Sequence, residues 1–194
     1  MAQKLAEYLQ AKTTAGEPHW TVFDRNLVEE VLKEHNLPQR LAKFMPENWI
    51  SEIEDTIDEL FGLHPPSWIS VRQTAETILR LAKLGNVIII GRGSNVITAR
   101  LGCAFHVRLV APLEKRVEHV EQTEHLDRKA ALEFIAREDE GRKRYLRKYY
   151  KKDINDPLQY HLVINTDLIG YRRVAQLIGD FVTSTRTRKQ SAHM

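Results

Sequence analysis

The chain has 194 residues, 42% of them hydrophobic and 28% charged, enough for one substantial core or for a domain with a small mobile appendage. A formal charge of +3 fits phosphorylated partners and ordinary soluble enzymes equally, so overall charge selects no function. The lack of any apolar run of about 18 residues excludes a membrane-spanning helix, and the lone cysteine, Cys103, excludes a disulfide framework and a cysteine metal site.

Cys103 sits among small and apolar residues and reads as a core thiol. The N-terminus interleaves charge with leucine and lacks the apolar block of a secretory signal, so the expected location is the cytoplasm.

In chain order, residues 2–10 read as a helix with Leu5, Ala6 and Leu9 on one side. A strand is expected over 19–23. Helical stripes follow at Leu27, Val28, Val31 and Leu32, at Trp49, Ile53, Ile57, Leu60 and Phe61, and at Val71, Ala75, Ile78, Leu79 and Leu81. Residues 87–90 are four consecutive aliphatics between Gly85 and Gly91, the pattern of a parallel strand buried on both faces. Further strands are expected over 104–110 and 161–165. The region 126–152 opens with an apolar stripe at Ala130, Ala131, Phe134 and Ile135 and then turns highly charged. With Gly141 inside it, that second half suggests a helix pair projecting from the body, a lid of the kind that closes over a substrate. Residues 171–185 form a last helix with Val174, Leu177, Ile178 and Phe181 on one face, and 186–194 read as a frayed tail.

Short β-rich runs alternating with longer helical patterns are the signature of a mostly parallel α/β sheet. In such sheets ligands bind at the carboxyl ends of the strands, where the strand over 86–90 delivers Gly91-Arg92-Gly93. Arg92 can grip a phosphate or base edge through two parallel hydrogen bonds, although a surface salt bridge explains it as well. The histidines have no metal-ligand spacing: His119 and His125 fall on different helix faces, and His64 precedes Pro65-Pro66 in a loop. Trp20, Trp49 and Trp68 look like packing residues. No GxxxxGK[ST] phosphate loop occurs in the sequence.

Several segments in order resemble the cytidylate-kinase-like family, a branch of the P-loop nucleoside monophosphate kinases. They are residues 2–9, Val22-Phe23-Asp24-Arg25-Asn26-Leu27, residues 87–95 with the Gly-Arg-Gly turn, residues 107–117, Asp139 and Arg142 with Tyr145 and Tyr149-Tyr150, and Leu162-Val163-Ile164-Asn165-Thr166. The resemblance implies a P-loop NTPase-like three-layer α/β/α fold with a parallel sheet and a helical lid. It would form a single domain over 1–185, with a helical insert at about 38–68 and the lid at about 126–155. The family's opening strand of about 5 residues and phosphate loop of about 8 have no counterpart here. The expectation is an internal start, with Met1 standing at an aliphatic position; a real truncation that has lost ATP binding and a deliberately shortened chain are the alternatives.

The activity implied is ATP-dependent phosphoryl transfer to a nucleoside monophosphate, CMP or dCMP, with Mg²⁺ neutralising the ATP phosphates and held chiefly by nucleotide and water. Arg137 and Arg142 would be the lid cations at the transferring phosphates. Asp24, Arg25, Arg92 and Asp139 would bind the acceptor, Arg25 on its monophosphate, Arg92 reaching the nucleotide from the turn and Asp139 on the base. Cytidylate kinases usually carry aspartate after the turn arginine, and Gly93 departs from that, which leaves the accepted base open. Each role has a plainer reading: Asp24 as a helix N-cap, Asn165-Thr166-Asp167 as a turn, and the charged helix as a solvated face laced with ion pairs. The rival functions are a non-catalytic nucleotide- or RNA-binding protein, with Glu138, Asp139 and Glu140 interrupting the basic patch against a nucleic acid partner, and a regulatory pseudo-kinase. Monomer and homodimer both fit the apolar segment 44–68.

Overall fold

The computed structural model describes residues 1–14, 16–24, 45–62 and 68–191, with side chains to Ser184. Arg25, the stripe at Leu27 to Leu32, His64 and the tail 192–194 lie outside the described residues, as does the insert apart from its portion 45–62. The elements are α1 (Ala2–Ala11), β1 (Thr21–Phe23), α2 (Glu47–Phe61), α3 (Ile69–Leu84), β2 (Val87–Ile89), α4 (Ser94–Ile97), β3 (Val107–Val110), α5 (Leu113–Glu124), α6 (Arg128–Tyr150), a 3₁₀ turn (Pro157–Gln159), β4 (Leu162–Asn165) and α7 (Tyr171–Ser191). This is an α/β chain whose four described strands form two parallel pairs, β1 with β2 and β3 with β4. Residues 2 and 9–104 make one compact unit, and residues 1, 3–8 and 105 onward make the other.

In the first unit β1 and β2 run in register from Thr21 opposite Val87 to Phe23 opposite Ile89. Hydrogen bonds outside the core register extend the ladder, Thr21 N–H to Asn86 O at 3.0 Å and Ile90 N–H to Phe23 O at 2.8 Å, so pairing spans the expected 86–90. The expected burial on both faces does not hold: β2 is only half-buried along its length and Ile90 is 44% exposed. A two-stranded ladder leaves more of each strand accessible than the middle of a wide sheet does. The core of this unit is α3, on which Ala75, Ile78 and Leu79 are fully buried; the helix packs against β2 and against α2, whose Ile53, Ile57 and Phe61 are buried. The helical periodicity located all six. Arg80, 5% exposed, is tolerated there because Glu76, one turn earlier, accepts from its Nε at 3.1 Å and Nη2 at 2.7 Å.

Cys103 is a correction. Instead of lying in the core, it is exposed in a turn after α4, its Sγ 3.9 Å from the Ala82 carbonyl. A small residue beside Gly102 satisfied the apolar pattern equally well as a turn residue.

In the second unit β3 and β4 pair from Val107 opposite Leu162 to Val110 opposite Asn165. Residue 106 clips the entrance of the ladder: its N–H donates to His161 Nδ1 at 3.0 Å, and its carbonyl accepts from His161 N–H at 2.8 Å. Burial, and then the neighbouring His161, push the His106 imidazole down from 6.5 to about 4. Between those values the unfolded chain binds the proton that the folded chain refuses, so stability present above pH 6.5 is lost as pH falls toward 4. After discounting for its partial exposure to solvent, the loss should be about 1–2 kcal/mol. Urea midpoints at pH 7 and 4.5 should therefore differ less in His106→Gln than in the parent, and an unchanged difference would refute the assignment.

The expected break near Gly141 is absent: α6 is one continuous helix of 23 residues. Asp127 caps it, accepting from Ala130 N–H at 2.8 Å, and Lys151 ends it in a left-handed conformation at φ 55°. No helix pair therefore forms within 126–152; α6 packs instead on the preceding helix, α5, through a core of Val117, Ala131 and Ile135. Tyr150, the last residue of α6, is buried. A Cβ at Gly141 would meet nothing within 4 Å. Gly141→Ala should therefore stabilise by about 0.5–1 kcal/mol through helix propensity, read as a rise in unfolding midpoint. A fall in midpoint would mean that the helix needs a glycine there.

Candidate functional site

Two groups of predicted residues can be followed in the structure, one in each unit. The first lies at the carboxyl edge of the β1–β2 pair. Asp24 follows the last residue of β1 and is exposed, and Arg92 follows β2 by three residues and is half-buried. Because the strands are parallel and in register, both emerge at the same edge. Gly91, Arg92 and Gly93 have φ of 77°, 55° and 72°, three left-handed residues in succession. Glycine adopts this freely, but an arginine there costs about 1–2 kcal/mol. The turn closes with Ser94 N–H on Gly91 O at 3.0 Å, and Gly93 O accepts from Val96 and Ile97 as α4 begins. Strain of this kind persists where the surroundings enforce it, and it clusters at binding sites.

The second group is on α6. Asp139 and Arg142 share a face as the spacing of three requires, and they are ion-paired with each other. Asp139 Oδ1 also accepts from Arg116 Nη2 of α5 at 2.8 Å, and Arg142 Nη1 lies 3.7 Å from Glu138. Burial alone would raise the Asp139 carboxyl, but hydrogen bonds from Arg116 and Arg142, with their charges, outweigh it and hold it below the usual carboxylate range. Arg137 is exposed, its guanidinium 5.5 Å over the Phe134 ring. On the exposed side of the helix Lys143, Arg144, Arg147, Lys148 and Lys151, with Glu140, line a shallow open groove of about 520 Å³. Glu140 offsets Arg144 at 3.8 Å.

At the end of β4 the plainer reading gains support. Asp167 N–H donates to Asn165 Oδ1 at 3.0 Å, and the Thr166 N–H and hydroxyl both donate to Val110 O, at 2.9 and 3.2 Å. These residues close the strand as an Asx turn. Among the described residues no cluster of His, Cys, Asp or Glu could hold a metal ion.

Residues 2–168 match the family described as the cytidylate kinase-like family. The chain belongs to that family. Its curated relatives include cytidylate kinases of Methanocaldococcus jannaschii, 35% identical over 56% of this chain and 62% of the relative, and of Staphylothermus marinus, 30% identical over 50% and 55%. A uronate isomerase of Corynebacterium glutamicum is 32% identical over 63% of this chain but only 23% of its own length. The chain thus spans less than two thirds of each of these relatives. A crystal structure of an uncharacterized protein from Eubacterium ventriosum superposes with a TM-score of 0.56 over 94% of this chain and 91% of that one. At 18% identity the likeness is one of fold.

In this cytidylate kinase-like chain, sequence reasoning missed Arg116. It lies 23 residues before Asp139 on another helix, so no local spacing connects them, and only its place inside the family-like segment 107–117 marked it.

Proposed function

We propose that this chain binds a nucleoside monophosphate, CMP or dCMP, as the acceptor of a phosphoryl group from ATP. The observation that carries the reading is Arg92, held in a left-handed turn between two glycines at the carboxyl end of β2, with Asp24 at the same edge. The guanidinium fork suits a phosphate, and a charge-assisted pair of hydrogen bonds fixes its orientation. Arg25 belongs to the same proposal from its place after Asp24. In the transfer, an oxygen of the acceptor monophosphate forms a bond to the γ-phosphorus as the bond from that phosphorus to the β-bridging oxygen breaks, releasing ADP. Negative charge spread over the equatorial oxygens calls for fixed cations. Arg137 and Arg142 are assigned that role, with the basic face of α6 as the approach for the polyphosphate.

Mg²⁺ in such reactions neutralises phosphate charge. The described residues offer it no carboxylate or histidine cluster, so it would arrive with the nucleotide's own phosphates, and no step is assigned through it.

The test is calorimetric titration with CMP, dCMP, UMP and AMP, alongside ADP release in the presence of ATP and Mg²⁺. Saturable binding of a pyrimidine monophosphate is expected. A chain that ignores all four monophosphates but binds RNA with steep salt dependence would instead be a nucleic-acid binder working through the basic face of α6.

A further inference from the structure

Between Ile135 and Leu146 no side chain of α6 is buried, so the helix carries Asp139 and Arg142 on a stretch with no buried apolar residue of its own. Arg116 reaches that stretch from α5, a helix fixed against α6 one residue later by Val117, which is 0% exposed. Its target is one oxygen: Asp139 Oδ1 accepts from both Arg116 and Arg142. The two partners differ in freedom. Arg116 and Asp139 side chains are each 33% exposed, whereas Arg142 is 48% exposed and has Glu138 as a second partner.

With Arg116, Arg142, Glu138 and Asp139 the cluster is neutral. A phosphate that takes the Arg142 Nη2 donor from Asp139 would leave a carboxylate beside a new anion, which is unfavourable unless another cation holds it. Arg116 is that cation. We propose, resting on the nucleotide reading above, that Arg116 is a positioning residue: it keeps the Asp139 carboxylate fixed on α6 while Arg142 turns to phosphate. Asp139 is held twice so that one bond can be given up. Arginine suits the task because its charge is permanent and its geometry rigid, which lysine matches only in charge.

The test uses the full chain with Arg116→Met, Arg116→Lys, Asp139→Asn and the double variant Arg116→Met with Asp139→Asn. CMP affinity is read by calorimetry and fold by thermal unfolding. Arg116→Met should weaken CMP about tenfold, the loss of one charge-assisted hydrogen bond's worth of order. Arg116→Lys should recover part of this, and the double variant should be no weaker than the weaker of the two single variants, because one change removes the holder and the other the carboxylate that it holds. A merely structural role predicts otherwise: Arg116→Met lowers the unfolding temperature with CMP affinity unchanged, or its effect multiplies with that of Asp139→Asn, and either result overturns the proposal. If Arg116→Met does not fold, Arg116→Lys against Asp139→Asn separates the two roles in the same way. Absence of CMP binding by the parent chain overturns the nucleotide reading itself, an outcome distinct from binding that is indifferent to Arg116.

Discussion

Arg92→Ala is expected to weaken nucleoside monophosphate binding about 100-fold, the effect of losing a bidentate charged contact of about 3 kcal/mol. A second replacement separates the side chain from the backbone. Arg92→Gly also removes the guanidinium, yet it should be the more stable of the two variants by about 1 kcal/mol, because residue 92 sits at φ 55° between glycines at 77° and 72°. At an ordinary loop position alanine would be the more stable choice, since it restricts the unfolded chain. The pair is read by titration with CMP and by urea unfolding. Equal binding by parent and Arg92→Ala would remove Arg92 from the site, and an alanine variant more stable than the glycine one would show that the turn is not enforced in the left-handed form.

The largest stability effect is expected at Gly179, on the buried side of α7. A Cβ placed there would lie 2.4 Å from Tyr8 Cδ1 and 2.7 Å from Cε1, distances at which something must move. Displacing the ring would break the hydrogen bond in which the Tyr8 hydroxyl donates to Asp180 Oδ1 at 2.7 Å, on the residue next to the glycine. Leu5 and Ala6 on α1, and Val174, Ala175 and Ile178 on α7, are all buried. Gly179→Val should therefore destabilise by about 3 kcal/mol through overpacking and the broken hydrogen bond. Tyr8→Ala should relieve much of it, so the double variant should be more stable than the sum of the two changes predicts. Additive losses in thermal unfolding would mean that valine finds room without the ring.

What could be read from the sequence divides along physical lines. Helix α3 was legible because Ala75, Ile78 and Leu79 recur at helical spacing and all pack inward. The four strands were legible as short β-rich runs between helical patterns, although the structure keeps only 21–23 of the expected 19–23 and 107–110 of the expected 104–110, paired in parallel with 87–89 and 162–165. Asp139 with Arg142 followed from a spacing of three on a helix. What depends on chain segments meeting in space was not legible. The Arg116 contact crosses between helices, the half-burial of β2 depends on how many strands flank it, and the left-handed φ of Arg92 is a tertiary choice that glycine on either side only permits. Gly141 misled for a related reason: propensity weakens a helix at glycine, but one such residue within 23 does not stop it.

The turn that exposes Cys103 gives the chain one chemical address. A thiol-reactive dye or spin label should couple there at one per molecule without any engineered cysteine, since the sequence holds no other. The same accessibility makes the protein prone to covalent pairing through that sulfur in aerated buffer, so preparations kept without reductant should accumulate a dimer that dithiothreitol dissolves.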